Sequence, residues 1–163
     1  MIVVRTRLGP IGFGLQGSSL CRVMLPGTCN LSGRPPVTAV EKRIAAKLRG
    51  YFAGKVRVFN LPVCLDGVSL FAQRVLRACS RIPYGRIMTY GELAREVGRP
   101  AAARAVGRVM AHNPIPIVIP CHRVVGSRGR LGGYGGGQEM KRWLLENERD
   151  SGLEGHEYAE TQR

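Results

Sequence analysis

The stretch Asn113-Pro114-Ile115-Pro116-Ile117-Val118-Ile119-Pro120-Cys121-His122-Arg123-Val124-Val125 limits what this chain can fold into more than any other. Ile115, Ile117, Val118 and Ile119 read as a buried extended segment. Pro120 stops it from running on as a central strand, because proline has no N–H for the ladder. Cys121 is therefore delivered to the end of a buried element. A thiol there is either a small apolar filler or a nucleophile aimed into a cleft. His122 is adjacent, but neighbouring side chains point apart in extended chain, so direct proton transfer between them is not assured. A water bridge or a distant carboxylate could complete the relay.

Composition narrows the setting. The chain has 163 residues, 44% hydrophobic content and a mean hydropathy near zero, which fits a globular protein with one good core or two small ones. Net charge is +14, with arginine far outnumbering lysine. Such an excess favours a polyanion such as nucleic acid, and arginine suits phosphate forks. A solvated basic surface explains the charge equally well. Residues 1–15 carry an apolar run broken by Arg5, Arg7, Gly9 and Pro10, so they read as neither signal peptide nor membrane span. Cysteines fall at 21, 29, 64, 79 and 121 without C-x-x-C spacing, and His112, His122 and His156 complete no zinc pattern. The expectation is a reduced, cytoplasmic compartment with no structural metal, one special thiol and four ordinary ones.

In chain order, residues 1–36 read as weak strands and loops, with β-branched pieces at Ile2-Val3-Val4 and Arg22-Val23-Met24-Leu25. A helix is predicted from Thr38 to Gly54, with Val40, Ile44, Leu48, Tyr51 and Phe52 on one face and Glu41, Lys42, Arg43, Lys47 and Arg49 mostly elsewhere. Val56–Leu61 reads as a short strand and 62–67 as a linker. A second helix is expected from Ser69 to Arg81, with Leu70, Phe71, Val75, Leu76 and Cys79 inward. Thr89-Tyr90-Gly91-Glu92 is a capping box opening a third helix that Gly98 ends. Pro100 falls in the first turn of an alanine-rich helix reaching His112. The last two form a helix-turn-helix candidate over 89–112. The alanine-rich helix is thin enough to press its backbone against DNA with Arg104 and Arg108, or to pack on another helix. The glycine-rich loop 127–137 is no Walker A; it permits close backbone approach to a ligand or is an ordinary connection. A final helix from Glu139 to Glu148 turns Met140, Trp143, Leu144 and Leu145 inward. The fold class is α/β (α+β): a small N-terminal α/β subdomain (1–64), a mainly helical C-terminal domain (65–150) and a polar tail (151–163).

Ile119-Pro120-Cys121-His122-Arg123-Val124-Val125 strongly resembles the active-site signature of the O6-alkylguanine-DNA alkyltransferases, also called methylated-DNA–protein-cysteine methyltransferases. Residues 68–148 resemble the family in order and spacing, through Pro83-Tyr84-Gly85, Tyr90-Gly91-Glu92-Leu93-Ala94, Ala103-Arg104-Ala105-Val106-Gly107, Asn113-Pro114 and Trp143-Leu144-Leu145-Glu146-Asn147-Glu148. The resemblance implies that Cys121 accepts the alkyl group and that His122 takes the thiol proton through a water, oriented by Glu148. It also implies that Asn113 braces the hinge. Tyr90 crowds the target nucleotide's phosphate and offers its hydroxyl to the guanine ring nitrogen, assisted by Lys141. The target base is flipped out of the duplex, and Arg104 fills its place, the small Ala102, Ala103 and Gly107 letting the helix come close. The backbone at Cys121 and Val124 accepts from the guanine amino group, Met110 and Tyr134 wall the pocket, and Gly135, with Gly136 beside it, faces O6 as the leaving group. Gly91, Arg99 and Ser127 match positions that touch the DNA backbone.

Gly91 and Arg99 depart from the polar residues of some relatives, Gly135 and Gly136 make a barer loop, and residues 1–67 show no matching motif. No cofactor or metal is implied. The implied partner is double-stranded DNA carrying O6-alkylguanine, met by a monomer away from membranes. The competing readings are a non-catalytic sensor of alkylated DNA, a helix-turn-helix regulator and a cysteine hydrolase. Retention of Cys121, His122 and Glu148 argues against the sensor, and chain length argues against the regulator.

Overall fold

The computed structural model describes residues 1–28 and 31–149; Cys29 and the tail 151–163 lie outside the described residues. The chain divides into two compact units, Met1–Asp66 with Pro114–Pro116, and Gly67–Asn113 with the residues from Ile117 on.

The first unit is built on an antiparallel sheet in the order β1-β2-β3, formed by β1 (Ile2–Thr6), β2 (Gly9–Gln16) and β3 (Ser19–Met24). Ile2 and Val4 alternate inward along β1, the period a half-buried strand requires. Helix α1 (Ala39–Phe52) packs against β1 and buries Ile44, Ala45, Leu48, Tyr51 and Phe52. The Thr38 hydroxyl accepts from the Glu41 N–H while the Glu41 carboxylate accepts from the Thr38 N–H, so both halves of a capping box are made. Glu41 is not on the wet side of α1 as its spacing suggests. It is buried, because Arg34 forks onto its two oxygens at 2.9 and 2.6 Å and the Val37 and Thr38 N–H groups bond to it as well. These bonds, the Arg34 fork first, hold its carboxyl down at about 2.

Residues 56–61 form no strand. Asn60 has φ 44°, which turns the chain out of extended conformation, and the only pairing nearby among the described residues is the single parallel bridge Leu20–Val63. Gly9–Gln16, full of glycine and unread as a strand, is the middle of the sheet. Its β-propensity is poor, and pairing on both edges overrides it.

The second unit is mainly helical. Helix α2 (Leu70–Cys79) is capped by the Ser69 hydroxyl and buries Val75, Leu76, Ala78 and Cys79; Leu70, expected inside, is 79% exposed because it sits in the first turn on the outer side. Strand β4 (Met88–Thr89) leads directly into α3 (Tyr90–Glu96), whose Thr89–Glu92 capping box forms as its sequence requires. Helix α4 (Ala103–Ala111) begins later than its alanine run suggests. Pro100 lies before it, in a turn closed by the Ala102 N–H on the Arg99 carbonyl, where proline at the second position is favoured. Strand β5 (Val124–Val125) pairs parallel with β4, and α5 (Gly137–Arg149) completes the unit. The inward stripe of α5 is Lys141, Leu144, Leu145 and Glu148, whereas Met140 and Trp143 are only half-buried. No described helix is long and apolar enough to cross a membrane.

Candidate active site

The run 115–119 is buried as expected at Ile115, Ile117 and Ile119, but it is a turn and not a strand. Ile117 takes φ 74°, a left-handed conformation that breaks extended chain. Pro120, at φ −81° and ψ 63°, then centres an inverse γ-turn in which the Cys121 N–H donates to the Ile119 carbonyl at 2.8 Å. Cys121, His122 and Arg123 follow as one 3-10 turn. Successive side chains in a 3-10 turn diverge by about 120°, not the 180° of a strand, and all three are buried.

Topology brings Tyr90 to the same place. In the parallel β4–β5 ladder Met88 pairs with Val124 and Thr89 with Val125; Tyr90 follows β4, and its ring centre lies 5.8 Å from the Lys141 Nζ that bonds the Val124 carbonyl. Tyr90 is half-buried between α4 and the glycine loop: a Cβ on Gly107 would stand 3.9 Å from its ring, and one on Gly132 only 2.8 Å from its hydroxyl. Burial pushes the Tyr90 phenol up, with Cys121 and Cys79 adding to the effect, so it remains a hydroxyl donor at neutral pH.

Glu148, 1% exposed, reaches the pocket from α5. Its Oε1 accepts from His122 Nε2 at 2.8 Å and from Arg123 Nη2 at 2.9 Å; its Oε2 accepts from Arg123 Nε at 2.9 Å and from the Gly85 N–H at 3.1 Å. Four hydrogen bonds match the lone-pair capacity of a carboxylate. Burial alone would raise this acid; the attraction and hydrogen bonds of His122 and Arg123 overcome it and hold the carboxyl far below its ordinary range. Burial lowers the His122 pKa, against the pull of Glu148. The imidazole is therefore neutral at pH 7. Because an ionised carboxylate only accepts, Nε2 carries the proton and Nδ1 is the basic nitrogen.

Cys121 is 4% exposed. Burial raises its pKa, while a hydrogen bond from Asn113, the charge of Lys141 and backbone N–H groups pull the other way. The net rise leaves a thiol that needs a base. Asn113 Nδ2 also donates to the Ile119 carbonyl at 2.9 Å, tying the turn shut. Lys141, fully buried, donates from Nζ to the Val124 carbonyl at 2.7 Å and lies 5.8 Å from the Tyr90 ring centre. Burial brings its pKa down to about 8 against the raising effect of Cys121 and Cys79.

Cys121, His122, Glu148, Asn113, Lys141, Val124 and Tyr90 thus come together. Tyr134 stands edge-on to His122 at 6.3 Å between ring centres, with a buried hydroxyl that has no hydrogen-bond partner among the described residues. Met110 is buried on α4, one turn from Gly107; Gly135 is exposed and Gly136 half-buried on the loop after Tyr134. Arg104, Arg99 and Ser127 are exposed, and Gly91, Ala102, Ala103 and Gly107 partly so. Sequence reasoning missed Arg123, Gly85 and Gly132. The signal for Arg123 was present: an arginine set directly before the apolar Val124-Val125 is a buried charge in need of a partner.

The family described as 6-O-methylguanine DNA methyltransferase, DNA binding domain, matches residues 70–150. The methylated-DNA–protein-cysteine methyltransferase of Mycobacterium tuberculosis is 52% identical over 145 residues, 87% of each chain, and that of Mycobacterium leprae is 43% identical over the same shares. Among solved structures, Mycobacterium tuberculosis OGT in complex with DNA superposes with a TM-score of 0.82 at 40% identity, covering 91% of this chain and 92% of that one. The O6-methylguanine-DNA methyltransferase of Pyrococcus kodakaraensis gives 0.68 at 28% identity, covering 90% and 97%.

Proposed function

Because the chain belongs to the methylated-DNA–protein-cysteine methyltransferase family, we propose that it repairs DNA by direct reversal, moving the alkyl group of O6-alkylguanine in a duplex irreversibly onto Cys121. The observation that carries this reading is the chain Cys121–His122–Glu148, a buried thiol and a neutral imidazole on one 3-10 turn, with Glu148 2.8 Å from His122 Nε2.

Sulfur attacks the alkyl carbon in line, the carbon–oxygen bond to guanine breaks, and a thioether remains on the protein. The thiol proton passes through a water to His122 Nδ1, which needs no contact between the two side chains. Glu148 stabilises the imidazolium that forms, as the orienting acid of a triad does. Guanine leaves with charge developing on its ring; the Tyr90 hydroxyl protonates it at nitrogen and regains a proton as the His122 imidazolium gives one back to water, so the thiol proton ends on guanine. Lys141, fixed on the Val124 carbonyl, adds a positive charge beside Tyr90. Asn113 keeps the 113–119 turn closed under Cys121. Met110 and Tyr134 wall the base, the buried Tyr134 hydroxyl facing a polar group of the substrate, and the backbone at Val124, Gly135 and Gly136 contacts its edges.

The target base must leave the stack, at a cost of a few kcal/mol. Arg104 enters the gap from the exposed side of α4, whose small Ala102, Ala103 and Gly107 allow close approach, and Gly91, Arg99 and Ser127 meet the flanking backbone. The chemistry belongs to residues 65–150, one chain suffices, and the reaction takes place inside the cell with its DNA.

Incubation with an O6-methylguanine duplex followed by intact-mass measurement tests the reading. The expected result is one added CH2 per chain, abolished in Cys121→Ala. Lesion binding with no mass change would replace the reading with a sensor.

A further inference from the structure

The first unit carries a charge that the chemistry above does not use. Residues 1–66 hold ten arginines and lysines against two carboxylates, Glu41 and Asp66. Neither acid neutralises α1's surface. Glu41, the only acid on α1, is turned inward under the Arg34 fork and the helix cap, and Asp66 accepts from Gln16 Nε2 at 3.0 Å.

What α1 shows to solvent is therefore uniformly cationic. Lys42, Arg43 and Arg49 are exposed and Lys47 half-buried, while Ile44, Ala45, Leu48, Tyr51 and Phe52 take the opposite side. At 100° per residue, Lys42 and Arg49 lie almost in one line, about 10 Å apart along the axis, and Arg43 and Lys47 form a second line about 6 Å long, roughly 130° round the helix from it on the other flank of the exposed side. None of the four makes an ion pair among the described residues. Like charges at i, i+4 cost an isolated helix a few tenths of a kcal/mol, so Arg43 and Lys47 weaken α1 where a glutamate would have strengthened it.

We infer that the outward face of α1, Lys42, Arg43, Lys47 and Arg49, is a contact surface for the sugar-phosphate backbone of duplex DNA, additional to α4. Charge complementarity argues for this occupant. A duplex carries one negative charge per about 1.7 Å of axis, so four cations over about 10 Å meet several phosphates and release their counterions. The contact is sequence-independent and holds the protein on undamaged DNA. It extends the DNA partnership proposed above and owes nothing to the transfer step.

The test is binding of the full-length protein to an undamaged duplex, by fluorescence anisotropy across a series of NaCl concentrations. For Lys42→Ala/Arg43→Ala/Lys47→Ala/Arg49→Ala, the slope of log K against log salt is expected to become shallower by about 3 to 4, at about 0.9 per phosphate contact. Lys42→Gln/Arg49→Gln, a milder change, is expected to lose nearly 2 by the same count. Lys42→Arg/Lys47→Arg keeps the charge and is expected to keep the slope. A change below about 0.9 in the first two variants, less than one phosphate contact, overturns the inference. Lesion chemistry is absent from this assay. A failed alkyl transfer with an altered slope would therefore remove the proposed reaction and leave this surface standing.

Discussion

Arg123 lays its guanidinium across both oxygens of Glu148, with Nε 2.9 Å from Oε2 and Nη2 2.9 Å from Oε1, while Nη1 donates to the Ile82 carbonyl at 2.6 Å. The fork fixes the carboxylate in the plane that His122 needs, and it keeps the acid ionised despite burial. Arg123→Ala is expected to destabilise the fold by about 3–5 kcal/mol, the cost of leaving one member of a buried pair alone. Arg123→Lys cannot fork, so it should retain part of the stability and transfer more slowly than the parent. Denaturant unfolding together with single-turnover rates checks both; equal stability and rate in Arg123→Ala would show that the fork is idle.

Gly132 has φ 64°, and a Cβ there would stand 2.8 Å from the Tyr90 hydroxyl. Gly132→Ala should cost about 1–2 kcal/mol in backbone strain and displace Tyr90. A misplacement of about 1 Å slows transfer by up to about a hundredfold. In a Tyr90→Phe background the same substitution should add little to the loss of rate. Additive losses would mean that Gly132 acts on something other than Tyr90.

Lys141 titrates near 8 in the folded chain, lowered by burial from 10.5. Below about pH 8 it is protonated in both folded and unfolded chains. Between 8 and 10.5 only the unfolded chain holds the proton, so this group makes stability rise with pH across that window, by at most about 3 kcal/mol at 1.36 kcal/mol per unit. Unfolding measured from pH 7 to pH 10 should show the rise in the parent relative to Lys141→Met. Parallel curves would contradict it.

Glu41 presents the opposite sign. Its folded carboxyl lies at about 2 against an ordinary 4.5, so its stabilisation is fully present above 4.5 and is lost as pH falls toward 2. Thermal midpoints of the parent and Glu41→Gln should converge across that window. A constant difference would mean that the Arg34 fork does not depend on the Glu41 charge.

Local chemistry was legible in the sequence, and long-range compensation was not. Thr89–Glu92 could be read as a capping box because it closes within one helical turn. Cys121, His122, Asn113, Tyr90, Lys141 and Glu148 could be named from motif resemblance, and the fold gathers them in one unit. The burial of Glu41 depends on Arg34 across a loop, and the burial of Arg123 depends on a glutamate 25 residues away, which no periodicity announces. Gly9–Gln16 hid as a strand because its pairing comes from neighbours on both sides and not from its own residues. The 115–119 run looked extended because its residues are β-branched and apolar, yet Ile117 at φ 74° turns it, and that turn is what places Cys121 and His122 on a common 3-10 turn.

The most direct measurement is the position of the transferred group. Cys79, at the end of α2, is also fully buried, its pKa raised by burial and then by Cys121 nearby, so a mass shift of the whole chain does not by itself say which sulfur reacted. Only Cys121 shares a turn with His122 and lies under the Asn113 side chain. After reaction with an O6-methylguanine duplex, peptide mapping should find the thioether on Cys121 alone, with Cys79 unmodified. Methyl on Cys79, or unmethylated Cys121 after the lesion has been repaired, would contradict the account.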